Sequence, residues 1–118
     1  MAKKQVRKFP FKDGYTAVLE SVTGVQWWAE LSFHPTRKWR FDYATDPAEK
    51  VNVAIEIDGG VFTGGRHSGG AGQKRDMEKM NAAVEEGWAV LHYVPDEKIS
   101  TYSLEQIKNV VGKRKKFL

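Results

Sequence analysis

Two neighbouring runs of residues alternate with a period of two, and they restrict what the middle of this chain can become. In "KWRFDYA" (38–44), Trp39, Phe41 and Tyr43 fall on one face, with Arg40 and Asp42 on the other. In "VNVAIEID" (51–58), Val51, Val53, Ile55 and Ile57 share one face, and Asn52, Ala54, Glu56 and Asp58 share the opposite one. A short "DPAEK" turn (46–50) joins the two. Upstream, "QWWAELSF" (26–33) reads as another strand, linked through the turn "HPTR" (34–37). Strands joined this closely predict an antiparallel meander.

The flanks follow a different period. "YTAVLESV" reads as a short helix, although Asp13-Gly14 ahead of it is also a hairpin turn signal. Residues 59–72 are too glycine-rich for regular structure. "QKRDMEKMNAAVEEG" (73–87) reads as a helix with Met77, Met80, Val84 and Ala83 as its apolar stripe and Gly87 as its stop. "WAVLHYV" (88–94) reads as a buried strand. "SLEQIKNVVG" (103–112) reads as a last helix, with Ser103 and Gln106 as a capping box and Gly112 as the stop. The predicted order is α-β-β-β-α-β-α, an α+β fold with a central mixed sheet flanked by helices. Trp27, Trp28, Trp39 and Trp88 suit core positions, with Trp27 or Trp28 facing outward by alternation.

A chain of 118 residues suits one domain, here 14–118, preceded by a basic arm (1–13) and ending in a basic tail. No apolar run is long enough to cross a bilayer, so no membrane partner is expected. The basic start has no apolar stretch behind it, so it does not read as a signal peptide. With no cysteine, disulfides and thiolate zinc sites are excluded, and an intracellular home is expected. His34, His67 and His92 have no zinc-type spacing, and no serine sits in a nucleophile elbow.

Asp42, Glu56 and Asp58 project from the less apolar faces of adjacent strands. They are either a row of solvated acids or a converging cluster. Converging carboxylates repel, and a divalent cation relieves that repulsion; hard oxygen ligands favour Mg²⁺ or Mn²⁺.

An Asp on one strand followed by Glu-x-(acid or Lys) on the next resembles the signature of the PD-(D/E)XK nuclease superfamily. The stretch from "FHPTRKWRFDYA" through "AIEIDGGVFTGGRHSGGAG" to "DMEKMNAAVEEGWAVLHYV" is similar to phage and bacterial members. These are the VRR-type, very-short-patch-repair-like and Holliday-junction-resolvase-like endonucleases. The resemblance covers residues 33–94. It implies a restriction-endonuclease-like core and metal-dependent hydrolysis of DNA phosphodiesters. Asp42 and Glu56 would be metal ligands, joined by the Ile57 backbone carbonyl and by Asp58. Branched DNA is the first substrate expected; nicking repair, general endonuclease activity and a non-catalytic DNA-binding module are the alternatives. A homodimer would cut both strands of a junction. The cytoplasm of a bacterial or phage-infected cell is the implied setting.

One departure stands out. Asp58 occupies the position of the signature lysine, whose charge in the superfamily helps activate the attacking water. Lys79, on the helix after the loop, is the first replacement to consider, with Arg66 and His67 next. A surface pair between Lys79 and Asp76 is the simpler alternative.

Net charge is +4, and the basic clusters "MAKKQVRK" and "GKRKKFL" lie at the two ends. Arg40, Arg66, His67, Lys74, Arg75, Lys113, Arg114, Lys115 and Lys116 are the expected phosphate contacts. Lys74 and Arg75 are expected in the first turn of their helix, where they would oppose its dipole until an anion binds. Solvated side chains are the alternative for all of these.

Overall fold

The computed structural model describes residues 8–59 and 70–118. The elements are α1 (Gly14–Thr23), β1 (Trp27–Ser32), β2 (Arg40–Thr45), β3 (Val53–Ile57), α2 (Gly70–Glu85), β4 (Ala89–Tyr93) and α3 (Thr101–Lys115). The sheet order is β1-β2-β3-β4. The first three strands are antiparallel, and β4 runs parallel to β3 after the crossover through α2. The expected α+β order and mixed sheet are present. No helix among the described residues is long and apolar enough to cross a membrane.

Asp13-Gly14 starts a helix, not a hairpin. The Asp13 carboxylate accepts the Thr16 N–H at 2.9 Å, and Thr16 Oγ1 accepts the Asp13 N–H at 2.8 Å. Gly24, at φ 76°, closes α1 in the left-handed conformation that glycine adopts without a steric penalty. The end of the expected basic arm is tied down: Phe11 bridges to Ala29, and Lys12 donates to Glu20, Gln26 and the Trp27 carbonyl. Residues 1–7 of that arm lie outside the described residues.

Both faces of the sheet are covered. One cluster joins Tyr15, Leu19, Trp27, Val53, Ile55, Ile107 and Val111, so α1 and α3 share this face. The other joins Leu31, Phe41, Ala44, Ala54, Ala83 and Trp88 beneath α2, with Trp28 packed against it. Neither Trp27 nor Trp28 therefore faces outward. Full burial of Phe41 stabilises the fold by about 1.5–3 kcal/mol.

Alternation holds along 51–57, where Val51, Val53, Ile55 and Ile57 all pack on the α1/α3 side. It fails in β2: Phe41 packs under α2, but Tyr43 packs on the other face. β1 switches at the level opposite. Trp28 and Leu31, three residues apart in sequence, both join the α2 side. Between them Glu30 adopts φ 56°, and it sits between the register pairs Ala29↔Tyr43 and Leu31↔Phe41. A non-glycine residue in that conformation is strained, and this kink lets both strands change face together.

Three further expectations need correcting. Met77 and Val84 are exposed on α2, which meets the sheet through Ala83 and the half-buried Lys79. The sheet offers small Ala44 and Ala54 there, so a small helix residue permits close approach. β4 is a sheet edge, so Ala89, Val90 and Leu91 are only half-buried and His92 is exposed. α3 is capped by Ser100, whose Oγ accepts the Ser103 N–H at 3.1 Å; Ser103 itself is buried inside the first turn. The helix continues through Gly112 to Lys115, so most of the expected basic tail is helical. Cations in its last turn suit the negative end of the helix dipole.

Candidate active site

The β2–β3 ladder pairs Tyr43 with Ile55 and Ala44 with Ala54. One step further along, side chains take over from the backbone. Glu56 Oε2 accepts the Asp42 N–H at 2.9 Å, and Asp42 Oδ2 accepts the Ile57 N–H at 2.7 Å. Each carboxylate thus satisfies a backbone donor of the other strand. The strand kink at Glu30 lies beside this point, so the face switch and the carboxylate interlock occur at one level of the sheet.

Glu56 is buried, at 8% exposure, and Asp42 is half-buried. Burial raises the pKa of both carboxyls, because it penalises the charged form. At Asp42 the Ile57 N–H and the Lys79 charge pull the other way, while the charges of Glu30 and Asp58 add to the rise. At Glu56 the Lys79 hydrogen bond and the Asp42 N–H oppose the rise, and the Asp42 charge adds to it.

Lys79 reaches this site from α2. Its Nζ donates to Glu56 Oε1 and lies 5.8 Å from the centre of the Phe41 ring. Both side chains are well covered, at 17% and 11% exposure. Among the described residues, the ion pair of Lys79 is with Glu56 rather than with Asp76. Lys79 lies one turn from Ala83, on the sheet-facing side of the helix.

Asp58 turns toward β4, where its Oδ2 lies 2.7 Å from His92 Nδ1. Glu56 and His92 are register partners across the parallel pair. Inspection of histidine spacing misses His92; the parallel pairing of β3 with β4 is the signal that finds it. On the other side of the interlock, Glu30, Asp42, Tyr43, Ile57 and Lys98 line an open groove of about 300 Å³.

Asp42 and Glu56 are therefore interlocked, with Asp58 nearby but engaged with His92. Among the described residues, no three His, Cys, Asp or Glu side chains are assembled as a ready chelating group. Asp42 and Glu56 supply the carboxylate oxygens of the interlock.

The expected phosphate contacts divide into several groups. Arg40 bonds Glu30 at 3.0 Å, with its guanidinium over the Phe9 ring. Lys74 and Arg75 are exposed, but α2 begins at Gly70, so they lie in its second turn and not in the first. Arg114 is committed to the backbone: it donates to the Val51 carbonyl and, at 2.6 Å, to the Gly87 carbonyl. Lys115 donates to the Thr23 carbonyl at 3.3 Å, while Lys113 and Lys116 are exposed. Arg114 meets β3 near its start, and Glu56 lies near its end, about 16 Å away at strand spacing. Arg66 and His67 lie outside the described residues. Comparison with protein-family models, curated proteins and solved structures finds no match to this chain.

Proposed function

We propose that this chain is a metal-dependent endodeoxyribonuclease that hydrolyses phosphodiester bonds, with branched DNA as its first substrate class. The observation that carries this reading is the interlock of Asp42 and Glu56 beneath the Lys79 ammonium. Burial opposes the charge of both carboxylates and raises their pKa values. Such placement is typical of sites built for chemistry.

The donor types suit a hard divalent cation: Asp42 and Glu56 offer carboxylate oxygens, one of Asp42 bonded to the Ile57 N–H and those of Glu56 bonded to Lys79 and the Asp42 N–H, and the Ile57 carbonyl would add a third donor. Mg²⁺ or Mn²⁺ held by Asp42 and Glu56 would supply Lewis-acid polarisation of a phosphoryl oxygen and a bound water of lowered pKa. Lys79 holds positive charge at Glu56, where it can offset charge developing on a phosphate. Asp58 Oδ2, 2.7 Å from His92 Nδ1, can orient the imidazole beside the site. Cutting both strands of a junction calls for two copies of the chain. A bacterial or phage-infected cell is the setting that the family resemblance suggests.

A non-catalytic DNA-binding module is the second reading. Asp58 at the position of the signature lysine favours it, and so does the way Lys79 already occupies Glu56. A labelled four-way junction, a linear duplex and a single strand, each incubated with Mg²⁺, Mn²⁺ or EDTA, separate the readings. The proposal expects metal-dependent cleavage, fastest on the junction and lost in Asp42→Asn. Binding without cleavage in either metal would replace it with the non-catalytic module. Equal cutting of all substrates would make the chain a general endonuclease, and single-strand nicks in the duplex would point to a repair enzyme.

A further inference from the structure

Between Glu30 and Asp42 the sequence carries three cations, Arg37, Lys38 and Arg40, and no acid. Arg40 is paired with Glu30. Arg37 and Lys38 are exposed at the hairpin between β1 and β2. The turn is internally braced: His34 Nδ1 accepts the N–H of Thr36 at 3.2 Å and of Arg37 at 3.0 Å.

The Arg37 side chain has a partner as well. Its guanidinium lies over the Trp39 ring, 4.0 Å from the centroid. Trp39 in turn stacks near-parallel to Phe33, with centroids 6.4 Å apart, and Phe33 stacks on Phe41 at 4.0 Å. Phe41 is buried and sits beside Lys79. A stack of rings thus connects the exposed guanidinium to the candidate site. A guanidinium packed over an aromatic ring still has N–H donors to offer, and less entropy is lost when it binds an anion.

The hairpin is also at the correct end of the sheet. β2 and β3 are antiparallel, so the start of β2 lies beside the end of β3, where Glu56 and Ile57 are. The cations of α3 lie toward the other end, near Val51.

We propose that Arg37, held on Trp39, is a phosphate-binding residue that seats the DNA backbone beside Asp42 and Glu56. This rests on the reading of the chain as DNA-binding, but not on its being a nuclease. A planar, bidentate donor suits a phosphodiester better than a flexible lysine does.

The test measures binding of a fluorescein-labelled four-way junction and a linear duplex by anisotropy, in EDTA, across a salt series. Arg37→Ala should weaken binding about tenfold and lower the salt slope by about 0.9, the share of one phosphate contact. Arg37→Lys should recover the slope but only part of the affinity. Trp39→Leu keeps the charge and removes the platform; it should weaken binding about threefold with the slope unchanged. Lys108→Ala, on α3, removes the same charge elsewhere and should cost less than about twofold. Far-UV circular dichroism checks that each variant is folded. A loss in Arg37→Ala no greater than in Lys108→Ala overturns the proposal, as does a wild-type chain that binds neither DNA. Binding that depends on Arg37, with no cleavage in Mg²⁺ or Mn²⁺, retires the nuclease reading and leaves this inference in place.

Discussion

Asp42 and Glu56 hold each other's strands. The backbone N–H of Asp42 donates to the Glu56 carboxylate, and the N–H one residue beyond Glu56 donates to the Asp42 carboxylate. The two acids differ in how many donors they serve. Glu56 uses one oxygen for Lys79 and the other for Asp42, whereas Asp42 uses one oxygen for Ile57.

That difference separates two substitutions that should be equally inactive. Asp42→Asn and Glu56→Gln should each lower cleavage by at least about 100-fold, as expected when a ligand of the catalytic charge is lost. Asp42→Asn keeps an oxygen for the Ile57 N–H and should melt at or above the wild-type temperature. Glu56→Gln has one oxygen for two donors and should lose about 1–3 kcal/mol. Thermal melts at neutral pH check this; a Glu56→Gln variant as stable as Asp42→Asn would contradict the assigned bonding.

Stability should also respond to pH in a fixed direction. Burial raises the Asp42 and Glu56 pKa values above their ordinary values of 3.8 and 4.5. In that range the folded chain binds more protons than the unfolded one, so the stabilisation is complete below the ordinary values and is lost as pH rises. The melting temperature of the wild type should therefore fall relative to Asp42→Asn as pH rises from about 4 toward neutrality. A difference that stays constant, or reverses, would show that these carboxyls are not held as described.

Lys79→Met should reduce turnover by at least about 100-fold, while Lys108→Met changes it little. Its melting temperature should also fall, because the buried Glu56 carboxylate loses its cation; breaking a buried pair this way costs about 3 kcal/mol. Adding Glu56→Leu to Lys79→Met should restore most of that stability without activity. If the double variant is no more stable than Lys79→Met, the pair is not the source of the loss.

The basic end of α3 should behave as two kinds of residue. Arg114→Ala removes donors from the Val51 and Gly87 carbonyls and should cost about 1–3 kcal/mol. Lys113→Ala and Lys116→Ala change exposed side chains and should stay within about 0.5 kcal/mol of wild type. Urea titrations compare the three; equal midpoints would remove Arg114 from its structural role.

Where a local rule acted alone, the sequence reading and the structure agree. Val53, Ile55 and Ile57 alternate because β3 runs regularly between two covered faces. Phe41 and Tyr43 part company because Glu30, on another strand, kinks the sheet at their level, and no periodicity within 38–44 encodes that. Met77 and Val84 are among the most apolar residues of their helix, yet they are exposed. The face of α2 was chosen by what lies under it, Ala54 and Glu56, which suits an alanine and a lysine. The site shows the same division. Asp42 and Glu56 can be proposed from their strand positions, whereas the partnership of Asp58 with His92 needs the crossover that brings β4 alongside β3.

The seat of α2 on the sheet has a mechanical consequence. Among the residues that press this helix onto the strands, one is a small hydrophobe, Ala83, and another carries the charge that balances Glu56. Any outward displacement of the helix withdraws the ammonium and leaves a carboxylate in a poorly solvated place. Helix position and site charge are therefore coupled: the seat of α2 on the sheet is also what sets the ammonium against the Glu56 carboxylate.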